Sequence, residues 1–263
     1  MPCGTIGKPA QPDPGAVPVW RNRIAWFMID DTTREKPRAN SGDDMNSCDP
    51  SLRATAIIDA DHPAVRQFAA DAVGDARDTR QKAIRLYSAV RDGFRYDPYK
   101  VDLSVAGMRA SRVVENGHGW CIPKAVLLAA ACRAIGIPAR IGLADVRNHM
   151  STQRLLDALG TDIFYRHGYT SILLEGRWVK ATPAFNVELC RKMNLAPLEF
   201  DGLSDSVFHA FSADGSRHME YLTMHGEFDD LPRDDILAAF ERHYPQLSTL
   251  DQADWDRDVA SGN

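Results

Sequence analysis

The chain lacks any C-x-x-C pair. Its five cysteines, Cys3, Cys48, Cys121, Cys132 and Cys190, are odd in number and widely spaced over 263 residues. Neither a disulfide framework nor a zinc ribbon is written this way. Positive charge is not in excess: 31 Lys and Arg against 36 Asp and Glu leave a net charge of −5. A dedicated nucleic-acid binder would show a basic surplus or stripe. Long apolar runs are also missing, and the longest early one, Ile24 to Ile29, is far too short to span a membrane. The opening MPCGTIGK has neither the charged start nor the apolar stretch of a signal peptide. A reducing, cytoplasmic setting is the default expectation, with no nucleic acid and no membrane as partner. What is present is ordinary: 44% hydrophobic and 25% charged residues. Disorder as the main state, collagen and coiled coil are excluded by that balance.

Residues 1–54 read as an irregular N-terminal arm. They hold Pro2, Pro9, Pro12, Pro14, Pro18, Pro37 and Pro50, with one aromatic and β-branched stretch, Val19 to Ile29, that suits a strand. Residues 55–250 read as one domain and 251–263 as a C-terminal tail. Within the domain, Pro63 sits in a first helical turn, and Val65, Phe68, Ala69 and Val73 recur at helical spacing. A second helix is predicted from Asp78 to Val90, stopping near Gly93, with a turn or short extended link over Phe94 to Pro98.

The third predicted helix, Cys121 to Ile135 (CIPKAVLLAAACRAI), carries only Lys124 and Arg133 as charges. A helix apolar nearly all round is normally buried in the middle of a domain. Pro123 suits its first turn, and Gly136 followed by Pro138 suits its end. Strand patterns follow at Ala139–Val146, Tyr165–Leu174, Arg177–Thr182 and Arg217–Met224. A short helix at Ser151–Leu159 and a closing one at Pro232–Tyr244 complete the series. Helices first and strands later predict an α+β fold: a buried central helix packed on an antiparallel sheet.

Cys121 is the residue best placed for chemistry. Gly117, Gly119 and Trp120 precede it, and the buried helix starts with it. A helix N-terminus carries roughly half a positive charge and several free N–H groups. These stabilise a thiolate, lower its pKa and can hold an oxyanion. The alternative is a buried structural cysteine, the commoner fate of that residue type. Cys132, deep in the same helix, is the expected inert counterpart. A thiolate nucleophile needs a base. His167 opens the alternating stretch HGYTSILL, whose strand would fix its ring; it could equally be a residue at a solvent edge. His118 stands close before Cys121 and suits a loop or substrate-contact role. His62, His209, His218, His225 and His243 have no evident partner.

The pieces GHGWCIPKAVLLAAACRAIGIPAR, FYRHGYTSILL and GRWVKATPAF, in this order, resemble the core of the transglutaminase-like superfamily. The resemblance extends over about residues 60 to 245. It implies a papain-like α+β fold and a Cys-His-Asp triad, with Cys121 as nucleophile and His167 as base. The third position departs from the pattern: Thr182 stands four after Trp178, where the family usually has Asp. A threonine hydroxyl can hold an imidazole tautomer, but it supplies no charge to an imidazolium. Asn186 or Asp145 could substitute; Asp145, with Arg147, Asn148 and His149, forms a polar cluster that either lines a pocket or is a solvated loop. Trp120, His118, Asp145 and Asn186 are the expected substrate-side residues.

The expected function is acyl transfer from an amide or thioester through an acyl-enzyme, as peptidase, amidase or amide-forming transferase. The alternative is a catalytically weak or inactive binding module, favoured by Thr182. The expected partner is a peptide, amide or thioester substrate. No cofactor is expected. Cys121, His118 and His167 match no zinc spacing, and the acidic pairs Asp43-Asp44, Asp229-Asp230 and Asp234-Asp235 lack a calcium loop's glycine and spacing.

Overall fold

Local chemistry starts the helices. In a computed structural model of the chain, which describes residues 49–149, 151–207, 219–250 and 253–261, helix α1 (Pro63–Val73) begins on proline, and the His62 ring accepts the Ala64 N–H. Helix α2 (Thr79–Gly93) is capped by Asp78, whose carboxylate accepts the Gln81 N–H at 2.9 Å. Such caps satisfy donors that a helix start leaves orphaned. The stretch Val19 to Ile29 and most of the arm lie outside the described residues.

After α2 a two-residue strand β1 (Arg95–Tyr96) runs parallel to β2 (His118–Gly119). Between them lies α3 (Ala110–Asn116), which the sequence pattern did not signal. It has no side-chain cap of its own. A distant residue does that work: Asp59 accepts the Ser111 N–H at 3.1 Å and the Ser111 hydroxyl at 2.5 Å.

Helix α4 (Cys121–Ala134) is the predicted central helix, and every residue from Cys121 to Arg133 is buried. Gly136 takes φ +79°, and the Ile137 N–H returns to the Cys132 carbonyl at 2.9 Å. This is the left-handed stop expected of a glycine there. The two charges inside this apolar helix are spent on backbone carbonyls. Arg133 donates to Ala139, Arg53 and Asp229. Lys124, fully buried, donates to the carbonyls of Arg91 (2.9 Å), Phe94 (2.7 Å) and Ala184 (2.7 Å). Burial pushes its pKa down to about 7, against the pull of Asp92.

The sheet has the order β5-β4-β3-β6, all antiparallel: β3 (Ala139–Asn148), β4 (Ile163–Leu174), β5 (Arg177–Ala181) and β6 (Met219–Phe228). The β4–β5 hairpin turns at Glu175 and Gly176, both at positive φ, as a tight hairpin requires. Three strands run further than the pattern indicated: β3 to Asn148, β4 from Ile163 and β6 to Phe228. The start assigned to the last of these, Arg217, lies outside the described residues. Backbone pairing with neighbours, absent from the local pattern, lengthens them.

Helix α4 lies on β4 at Gly168. A Cβ there would sit 2.9 Å from the Ile122 Cα, so only glycine lets the two backbones approach this closely. Thr170 adds a hydroxyl bond to the Ala125 carbonyl at 2.9 Å. Helices α5 (Gln153–Leu159) and α7 (Arg233–His243) fall where a short helix and a closing one were predicted, whereas α6 (Val187–Lys192) was not signalled by the sequence pattern. Residues 255–261, in the stretch read as a tail, form α8 (Trp255–Ser261) with Trp255 and Asp258 buried. Asp258 accepts the Tyr99 hydroxyl at 3.0 Å and pairs with Arg154 at 2.9 Å. Among the described residues no helix is long and apolar enough to cross a membrane.

Candidate active site

Cys121 is the first residue of α4, and Trp120 at the cap position offers no side-chain bond to the helix start. Three backbone N–H groups act on the sulfur: those of Cys121, Ile122 and, from β4, Gly168. Each favours the thiolate. Burial opposes them and is larger, so the thiol is pushed up to about 11. The expectation of an acidic thiol from the helix start alone is corrected here. A helix end lowers the pKa of a thiol that water also reaches, and Cys121 is 7% exposed.

His167, on β4, is 2% exposed and lines one narrow cleft with Cys121. The cleft measures about 40 Å³. Its wall is apolar and aromatic: Tyr96, Trp120, Phe164, Tyr165, Phe240 and Tyr244, with Leu155 and Leu159 from α5. Tyr244 fixes the mouth by donating to the Ile163 carbonyl (3.0 Å) and accepting the Tyr165 N–H (2.5 Å). Trp120 packs on Phe240 at 5.6 Å, and Tyr165 stacks on His243 at 3.6 Å.

Thr182 stands next to His167 in an adjoining cavity of about 10 Å³, with Ala184, Phe185 and Met219. Its hydroxyl is buried and, among the described residues, makes no hydrogen bond to the imidazole. It neighbours the imidazole without holding it, unlike the orienting role expected of that position. Asn186 serves another part of the site: its Oδ1 accepts the Tyr96 N–H at 3.3 Å and so steadies a cleft wall. Asp145 is engaged through both oxygens. Oδ1 accepts from the Arg166 backbone N–H (3.0 Å) and guanidinium (3.3 Å), and Oδ2 lies 2.9 Å from His225 Nε2. Its expected neighbours stay away from the cleft. Arg147 pairs with Asp162 at 3.2 Å, and the Asn148 amide donates to Ser151.

His118 lines a different and larger cleft of about 290 Å³, with Lys100, Asp102 and Arg112. Trp120 and Val101 are common to both clefts and form the partition. Burial lowers the His118 pKa, countered in part by Asp97. The structure thus gathers Cys121, His167 and Trp120 in one place and puts Thr182 beside them. It leaves His118 next door and gives Asp145 and Asn186 supporting positions. Of the cleft aromatics, Phe240 and Tyr244 had a sequence signal, the predicted closing helix Pro232–Tyr244. Tyr96 had none, and Phe164, Tyr165 and Arg166 were legible only as part of the motif FYRHGYTSILL, with no role of their own. Among the described residues no three His, Cys, Asp or Glu side chains gather as metal ligands.

Residues 66–183, which include Cys121, His167 and Thr182, match the family model of the transglutaminase-like superfamily. Over this segment the chain is similar to that superfamily. The match begins in α1 and ends just past β5, so it covers the helix and the strands that carry the cleft. Among solved structures, a candidate cysteine protease from Cytophaga hutchinsonii is 17% identical with a TM-score of 0.40, covering 69% of this chain and 56% of that one. A candidate protease from Parabacteroides distasonis is 14% identical with a TM-score of 0.32, covering 48% of this chain and 25% of that one. The chain therefore spans about half or less of the length of the structures it matches. Comparison with curated proteins returned no match.

Proposed function

We propose that residues 55–250 form a cysteine acyl-transfer domain acting on an uncharged amide or thioester, with Cys121 as nucleophile and His167 as base. The observation that carries this is one cleft lined by both the first thiol of a buried helix and a strand histidine, with three amide N–H groups that favour the thiolate. In the reaction, the thiol proton passes to the His167 ring as sulfur bonds to the acyl carbon. Backbone N–H groups at the helix start stabilise the resulting oxyanion. The imidazolium then returns its proton to the departing amine or thiol. Water or a second amine releases the acyl-enzyme. Among the described residues the cleft wall carries no charged side chain beyond what the His167 ring can acquire, so a charged acyl side chain would be desolvated without a partner from them. Cys121, Cys132 and Cys190 are free thiols, which suits a reducing, cytoplasmic compartment.

A second reading is a binding module of the same fold with little or no turnover. Thr182 favours it, because no carboxylate stands at that position and its hydroxyl does not hold the ring. Alkylation separates the two. With iodoacetamide and peptide mass spectrometry, the catalytic reading expects Cys121 to label near pH 7 through a thiolate–imidazolium pair. Cys132 serves as the internal control. Labelling of Cys121 that rises only above about pH 9, as an unassisted thiol does, would leave the binding module. A Cys121→Ala variant that still forms a covalent adduct with a peptide thioester would sink the nucleophile assignment.

A further inference from the structure

The residue before the base has a conformation of its own. Arg166 takes φ +60°, a left-handed value that a side chain disfavours. The pairing of β3 with β4 breaks at the same point. Ala144 pairs with His167 and Val146 with Phe164, so Tyr165 and Arg166 together stand opposite Asp145. This is a bulge, one extra residue on β4. Phe164 and His167 are three apart and would point to opposite faces of a regular strand. With the extra residue they pair with positions two apart on β3, and both line the reactive cleft.

A set of charges holds the bulge. Asp145 Oδ1 accepts the Arg166 backbone N–H at 3.0 Å, replacing the ladder partner that the bulge removes. The Arg166 guanidinium forks onto Asp235 of α7, Nε to Oδ2 at 2.6 Å and Nη2 to Oδ1 at 3.0 Å. Nη1 lies 3.3 Å from Asp145 Oδ1 and 2.6 Å from His225 Nε2. Strand β6 is also displaced here: its register with β3 shifts between Leu143 and Ala144, skipping His225, and Gly226 follows at φ +100°. Planar, two-point recognition of a carboxylate is what arginine does better than lysine. Helix α7 and its C-cap residue also supply Phe240 and Tyr244 to the cleft wall, so the Arg166–Asp235 fork joins the strand bearing the base to the helix bearing part of that wall.

We propose that Arg166, clamped between Asp145 and Asp235, is a positioning residue that sets the bulge and thereby aims His167 into the cleft with Cys121. Arg166 touches no reacting atom; it acts through His167. This inference rests on the Cys121–His167 reading above, and the test separates the two. The rate of Cys121 alkylation by iodoacetamide is measured from pH 5 to 9.5 in the full chain and in the His167→Ala, Arg166→Gly, Arg166→Lys and Asp235→Asn variants. Thermal unfolding of each is followed alongside. Glycine at 166 accepts the left-handed backbone without the guanidinium, so it isolates the clamp from the strain. Asn at 235 removes the charge of a half-exposed partner and leaves the core intact. The expected result is a fall in neutral-pH labelling of about tenfold for Arg166→Gly, towards the His167→Ala profile, with a smaller fall for Asp235→Asn and for the lysine variant. If Arg166→Gly and Asp235→Asn keep the profile of the unmodified chain while His167→Ala loses it, the clamp is overturned and the Cys–His pair stands. If His167→Ala leaves the profile unchanged, the pair fails and the clamp fails with it.

Discussion

Cys121 and Cys132 share one helix, and both are buried, at 7% and 0% exposure. At Cys132 burial pushes the thiol up to about 12, and the only opposing influence is the charge of Arg133. At Cys121 burial pushes it up to about 11 against the N–H groups of Cys121, Ile122 and Gly168. Two of those N–H groups belong to the helix start. The third comes from β4, the strand that also bears His167. Position on the helix supplies dipoles; it does not overcome burial. The feature that sets the first cysteine apart is the neighbouring strand, which brings a donor and an imidazole to a place where the other has only packing.

This contrast can be broken most severely at Lys124, which lies on α4 between the two thiols. Lys124→Met keeps the length but leaves the carbonyls of Arg91, Phe94 and Ala184 without their donor. The expected loss is about 3–5 kcal/mol in urea unfolding. Labelling of Cys121 should also change while Cys132 stays protected until global unfolding. A loss below about 1 kcal/mol would mean that the three bonds do not hold the helix start in place.

A smaller effect is expected at the close approach of strand and helix. Gly168→Ala puts a Cβ within 2.9 Å of Ile122 Cα and 3.3 Å of Ile122 N. Backbone must shift, at a cost of about 1–3 kcal/mol. The displaced Gly168 N–H would slow Cys121 alkylation and leave Cys132 as it was. Equal stability and an unchanged labelling rate in this variant would detach the strand from the difference between the thiols.

The smallest effect is at the far end of the Arg166 clamp. The Arg166 hydrogen bond holds the Asp235 carboxyl below its usual range. A carboxylate with a depressed folded pKa contributes stability above its unfolded value, about 3.9, and loses it as pH falls through the folded one. Asp235 is 47% exposed, so Asp235→Asn should cost less than about 1 kcal/mol at pH 7. The difference from the unmodified chain should vanish in strong acid. Denaturation midpoints at pH 7 and at low pH measure it, and an equal deficit at both would show that the carboxylate's charge is not what matters.

Much of this was legible along the chain because the signals are local. An apolar run with Pro123 near its start and Gly136 past its end describes a buried helix wherever it occurs. Glu175-Gly176 between alternating stretches describes a hairpin. Helix α3 was illegible because its start is stabilised by Asp59, far off in sequence. The ends of β3, β4 and β6 were illegible because their last residues are held by cross-strand pairing. In the site, Thr182 could be read as a departure from the family pattern. That its hydroxyl misses the ring could not be read, since this depends on how β5 leaves the sheet. His225 had no evident partner in the sequence, and the structure sets it against Asp145 and Arg166.

The sequence by itself determined the central helix, its burial, the thiol that begins it and the strand histidine paired with that thiol by family resemblance. Composition, proline and glycine placement and hydrophobic period act over a few residues and need no fold to be read. The tertiary structure decided how burial acts on that thiol, the aromatic cleft around it, and the positions and partners of Thr182, Asn186, His118 and Asp145. Each of these depends on desolvation and on hydrogen bonds between residues far apart in the chain, and those exist only once the strands and helices have packed.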